Sequence, residues 1–193
     1  LSISATGATA QPDPAALFRQ GVTWQEFLKA VNARQDTWRT NVARAAPRAE
    51  MVERLKQAAA GLTVLAVAES ACSDSVSTLP YLAKALELAG IELRIVPKRT
   101  AEGFLDGHRT PDGRTATPTI VLLRADKVAG VWIERPSVLQ QWHLSPEAQA
   151  LAQQDRLDRK MSWYDWDRGD STIAEIVALA ERSAGAARDA ARR

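Results

Sequence analysis

Seven uncharged residues in a row, Leu62 to Ala68, end four positions before the chain's only cysteine, Cys72. Aliphatic and β-branched residues with no charge among them fit a strand buried on both faces. The residues that follow, Glu69-Ser70-Ala71-Cys72-Ser73-Asp74-Ser75, are small and polar and read as a turn into a helix. The thiol therefore falls where a strand hands over to a helix. Unpaired N–H groups and the positive end of the helix dipole meet there, and both favour a thiolate over a thiol.

The 193 residues suffice for one well-packed domain with additions at its ends and are few for two. At 46% hydrophobic and 25% charged, the composition excludes a chain disordered throughout, and one Cys excludes a scaffold held by internal disulfides. The lone Cys fits a reducing, cytoplasmic setting, although exported proteins also can lack disulfides. Ala8-Thr9-Ala10 has the small-residue spacing of a signal-peptidase cut, but no basic segment or long apolar run precedes it. With 25 basic and 23 acidic side chains, the net charge of +2 gives no reason to expect nucleic acid or an anionic membrane surface as a partner. No apolar run nears the roughly 18 residues of a membrane helix, so a soluble protein is expected.

Residues 1–14 are small, polar and interrupted by proline, and read as a loose leader; 15–182 read as a single domain whose packed part begins near Leu17. Thr23-Trp24-Gln25-Glu26 has capping-box spacing and predicts a helix from Trp24 to Ala43, broken off before Pro47. A second helix is expected from Ala49 to Ala60, with Gly61 as its stop. Strand 62–68, a helix ending at Gly90 and strand 91–96 make a βαβ unit, whose right-handed crossover sets the two strands parallel. A short helix at 101–105 and a polar loop, 106–116, lead to Pro118. Strands 119–123 and 128–133 then form a hairpin around a four-residue turn, 124–127. Further helices are expected from Pro136 through Trp142, from Ser145-Pro146-Glu147 through a segment carrying Leu151 and Leu157, and from Ser171 onward. Residues 183–193 read as a solvated Ala/Arg-rich tail.

The order strand, Cys, helix, strand, followed by Thr117-Pro118 and a ββα unit, resembles the thioredoxin fold. The likeness extends to Gly21-Val22-Thr23-Trp24-Gln25-Glu26-Phe27-Leu28, to Glu69 through Pro80 with its Cys-x-Asp core, and to Trp132-Ile133-Glu134-Arg135-Pro136. It extends also to Trp163-Tyr164-Asp165 through Gly169 and to Thr172-Ile173-Ala174-Glu175-Ile176, so that residues 17–180 are covered in order. These segments are similar to a bacterial thioredoxin-family branch with Trp-Cys-x-Asp in place of a two-cysteine motif. The resemblance implies an α/β, thioredoxin-like fold in which βαβ and ββα units share a mixed four-stranded sheet core, with extra helices at the N- and C-terminal ends.

It also implies a role for particular residues. Where two-cysteine members have Cys-x-x-Cys, this chain has Cys72 and Ser75. Ser75 can hydrogen-bond a thiolate but forms no disulfide, so a mixed disulfide on Cys72 needs an external thiol for release. Monothiol exchange with a protein or small-thiol disulfide is the implied activity. A low-molecular-weight thiol is the one co-substrate expected, and no bound cofactor is. Pro118 is expected in the cis form, with Thr117 offering its main chain to an extended peptide substrate. Asp74 places negative charge by the sulfur, and Arg135 can pair with Asp74 or with a bound carboxylate. Ala71 replaces the family's Trp, and Ala66 stands where two-cysteine members bury an acid. These substitutions support the alternative, a redox-inactive module that binds an extended peptide or a protein partner. His108 and His143 are far apart and lack Cys or carboxylates at ligand spacing, so no metal site is expected.

Overall fold

The computed structural model describes residues 13–192, so the leader through residue 12, with its Ala8-Thr9-Ala10, lies outside the described residues. Five strands of the described residues form one mixed sheet: β1 (Val22–Thr23), β2 (Leu62–Val67), β3 (Glu92–Val96), β4 (Thr119–Arg124) and β5 (Lys127–Ile133), in the order β1-β3-β2-β4-β5. Strands β2 and β3 run parallel from Thr63↔Glu92 to Val67↔Val96, while β4 is antiparallel to both β2 and β5. The expected four-stranded thioredoxin-like core is therefore present. The fifth strand, β1, is two residues long and pairs antiparallel with β3 through Val22↔Ile95.

Among the described residues ten α-helices surround the sheet: α1 (Pro14–Gln20), α2 (Trp24–Ala30), α3 (Gln35–Arg44), α4 (Ala49–Ala58), α5 (Ser73–Ala89), α6 (Glu102–Leu105), α7 (Ser137–Leu144), α8 (Pro146–Gln149), α9 (Gln153–Asp167) and α10 (Asp170–Ala191). Alternation along β2 explains the two-sided core. Val64 and Ala66 join Trp38, Leu55, Leu82, Leu86, Ile176 and others from α3, α4, α5 and α10, whereas Leu65 and Val67 join Leu17, Phe104 and Leu105 from α1 and α6. All four β2 residues are fully buried, as a run without charge requires. No helix of the described residues is long and apolar enough to cross a membrane.

The structure departs from the sequence reading at several junctions. The helix expected over 24–43 is two, because Val31 leaves the helical region with a ψ of 120° and Arg34 takes a left-handed φ of 53°. The hairpin turn is two residues rather than four: Arg124 pairs with Lys127, and Ala125 and Asp126 have φ of 46° and 63°. Two successive positive φ values match the right-handed twist of the flanking strands, which outweighs the strain at Ala125. The helix expected to carry both Leu151 and Leu157 is divided into α8 and α9, with Leu151 between them. Helix α1 begins at Pro14, capped by Asp13, and α10 runs to Ala191.

Three local devices fix the helices around α5. Pro80 lies inside α5 and offers no N–H to the carbonyl of Val76, so the buried Asn41 supplies a donor at 2.9 Å and in turn accepts from Tyr81 Oη at 3.2 Å. Gly169 has a φ of 83°, and a Cβ there would lie 2.3 Å from Tyr81 Cβ, so this turn admits glycine alone. Arg124 holds the C-terminal helix to the sheet by donating to the carbonyls of Ala58, Ala60 and Ala180 and to Ser183 Oγ.

Candidate functional site

Cys72 is the N-cap of the 17-residue helix α5, as its place between an apolar run and small polar residues led one to expect. The loop that presents it is held from outside. Trp38 Nε1 donates to the carbonyl of Ser70 at 3.0 Å, Arg34 Nε to that of Ala71 at 2.7 Å, and Ser70 Oγ to Asn32 Oδ1 at 2.8 Å. Trp38 is itself packed in an aromatic cluster with Trp24 and Phe27, its ring centroid 5.3 Å from that of Phe27 in an edge-to-face arrangement. The break between α2 and α3 brings Asn32 and Arg34 onto this loop.

The sulfur is half-buried and meets two main-chain groups. Its thiol donates to the Thr117 carbonyl at 3.1 Å, and Ser75 N–H points at Sγ from 3.5 Å. The Thr117–Pro118 bond is cis, and these contacts gather Cys72, Ser75, Thr117 and Pro118 at one end of the sheet. It is the Ser75 main chain that faces the sulfur. Its hydroxyl is buried and has no hydrogen-bond partner among the described residues.

Asp74 points into the protein rather than toward solvent. It accepts from Lys160 Nζ at 2.7 Å and from Tyr164 Oη at 2.8 Å, and Arg135 Nε lies 3.4 Å away, an ion pair without an aligned hydrogen bond. Lys160 also donates to Ser73 Oγ at 2.9 Å. Arg135 reaches Glu134 at 2.5 Å, and Glu134 faces Arg114, which pairs with Asp112. Three carboxylates thus alternate with three cations, and Asp74, Glu134, Arg135 and Lys160 are all buried. The negative charge of Asp74 is balanced by Lys160 and Arg135. Burial first, and the adjacent Asp74 charge second, push the Tyr164 phenol well above its usual range, so it remains a hydrogen-bond donor.

Glu134 joins the two parts of the site. It has a φ of 67°, unusual for a residue with a side chain, and its N–H donates to the carbonyl of Pro118 at 2.7 Å. Glu69, the carboxylate closest to Cys72 on the strand side in sequence, accepts from Lys98 N–H at 2.7 Å. His108 stacks on Phe104 and lies 2.9 Å from its carbonyl through Nδ1. The sequence pointed to Cys72, Asp74, Ser75, Thr117, Pro118 and Arg135 but not to Lys160, Tyr164 or Glu134 as their partners. The dense Trp163-Tyr164-Asp165-Trp166 segment was the one sign that α9 packs inward; Tyr164 does so, while Trp166 is 77% exposed.

A family model described as Thioredoxin matches residues 21–154. Two solved structures share the fold: a protein of unknown function from Pseudomonas aeruginosa, 24% identical with a TM-score of 0.66, and an HIV epitope scaffold, 23% identical with a TM-score of 0.65. Each alignment covers 88% of this chain and 98% of the other. At such identity the likeness bears on fold alone. No curated protein matches the chain.

Proposed function

Because the chain belongs to the thioredoxin family, we propose that it carries out thiol–disulfide exchange through one sulfur, Cys72. The observation that carries this reading is the Cys72 thiol at the N-cap of a 17-residue helix, 3.1 Å from the carbonyl that precedes a cis proline. Solvent takes the thiol proton, and the Ser75 N–H, 3.5 Å from Sγ, donates to the sulfur that is left. The thiolate attacks one sulfur of a substrate disulfide, forming a Cys72 mixed disulfide and expelling the other sulfur as a thiolate. Ser75 provides no second sulfur, so an external low-molecular-weight thiol, as its thiolate, attacks the mixed disulfide, joins the substrate sulfur and regenerates Cys72. Thr117 and Pro118 would hold the substrate's extended main chain against the sulfur.

The test is to treat the protein with a glutathione mixed disulfide, follow the adduct by intact mass, and measure alkylation rate against pH. The expected result is a reversible adduct on Cys72, alkylation faster than that of a free thiol at neutral pH, and turnover that Cys72→Ser abolishes. A thiol that reacts no faster than a free cysteine and yields no turnover overturns the reading. The alternative, a redox-inactive module for an extended peptide or protein partner, is favoured by Ala66, fully buried where two-cysteine members bury an acid. On that reading Cys72→Ser leaves partner binding unchanged.

A further inference from the structure

Between β5 and α7 stand two charged residues, Glu134 and Arg135, that are only 4% and 5% exposed. Glu134 is the middle of a three-residue turn closed by Arg135 N–H, which donates to the Ile133 carbonyl at 2.9 Å. With a φ of 67° at its centre this is the rare, strained hand of such a turn, one that glycine adopts freely. The chain places a glutamate there instead, so the contacts of that side chain have to offset the strain.

Those contacts converge on the two halves of the site. The Glu134 N–H donates to the Pro118 carbonyl at 2.7 Å. The carboxylate accepts from Arg114 through both oxygens, Oε1 from Nη1 and Oε2 from Nη2 at 3.3 Å each, and meets Arg135 Nη2 at 2.5 Å. Arg114 stands four residues before Pro118, so the loop that enters the proline and the carbonyl that leaves it are tied to one residue. Arg135 carries the tie onward, its Nε 3.4 Å from Asp74, two positions after Cys72.

We propose that Glu134 is the positioning residue of the site: it sets the spacing between the Thr117–Pro118 main chain and the Cys72 sulfur, and so selects disulfides carried on an extended peptide over small ones. This inference rests on the exchange reading given above. Buried as it is, Glu134 touches no substrate; it acts through the Pro118 carbonyl on one side and through Arg135 and Asp74 on the other. A peptide laid along Thr117 presents its disulfide to Sγ only while that spacing holds, and a misplacement of about 1 Å costs an oriented reaction up to about a hundredfold. A small disulfide lays no main chain along Thr117 and needs the sulfur alone.

The experiment compares two substrates of the full chain with glutathione as the external thiol: a pentapeptide whose central cysteine is in mixed disulfide with glutathione, and hydroxyethyl disulfide. Glu134→Gln keeps the shape of the side chain and the bond to Pro118 while removing the charge. The expected result is a fall of about tenfold in the ratio of kcat/KM for the peptide to kcat/KM for the small disulfide, partly recovered in Glu134→Asp. Loss of packing alone lowers both rates together, so an unchanged ratio overturns the proposal. Should Glu134→Gln not fold, Arg114→Gln, at a half-exposed side chain, takes its place, with a smaller fall of the same ratio expected. A parent that turns over neither disulfide sinks the exchange reading, and NMR titration with the same pentapeptide carrying serine for cysteine then decides. Binding about tenfold weaker in Glu134→Gln supports the positioning role; equal binding, or none in the parent, overturns it.

Discussion

On one side of the first turn of α5 stands Cys72, half-buried, with a sulfur whose polar contacts are both to main chain, Ser75 N–H and the Thr117 carbonyl. On the other side Asp74 is buried and meets side chains, Lys160, Tyr164 and Arg135. Backbone groups persist when a side chain changes, so the sulfur's setting tolerates replacement of its neighbours. The carboxylate's setting does not, because removing one member of a buried pair strands the other charge. The reactive edge of the site is therefore supported by the chain's path, and that path is supported by a charged base beneath it.

The sharpest way to break this contrast is Lys160→Met. Asp74 would keep its burial and lose its 2.7 Å partner, and stability to urea should fall by about 3–5 kcal/mol. Adding Asp74→Asn should restore part of the loss. If Lys160→Met unfolds at the same urea concentration as the parent, the base is not what holds the turn. Asn41→Ala comes next. It leaves the Val76 carbonyl and the Tyr81 hydroxyl unpaired inside the protein, for an expected loss of about 1–3 kcal/mol in the same measurement. Smallest is Cys72→Ser, which should shift stability by less than about 1 kcal/mol while removing every thiol reaction. A loss as large as that of Lys160→Met would show the sulfur to be a packing group.

The two sides also differ in how far the sequence discloses them. Strand β2, the N-cap at Cys72 and the Pro-led strand β4 could be read because each is written in neighbouring residues, as an apolar run, a polar turn or a proline at a strand start. The partners of Asp74 could not. Lys160 and Tyr164 lie 86 and 90 positions away, and a lysine on a polar helix looks solvated until tertiary packing buries it. Strand β1 escaped notice because two residues carry no period. The tight turn at Ala125-Asp126 did so because it lacks the glycine that usually marks two positive φ angles. The bend between α2 and α3 was hidden by good helix formers on both sides. It is set by the loop to which Asn32 and Arg34 bond.

The distance between Asp74 and its partners has a consequence during synthesis. Cys72, Thr117 and Pro118 are all made before Lys160 and Tyr164, and the apolar stripe of Ile173, Ile176 and Val177 that closes the core is made later still. Until then the sulfur-bearing turn has its strands but not its ionic foundation, and the faces of α4, α5 and β5 that α10 will cover stay open to water. A nascent chain of this protein carries its thiol through that interval on an unfinished frame, so its exposure to oxidants and to other chains is greatest before the last two helices arrive.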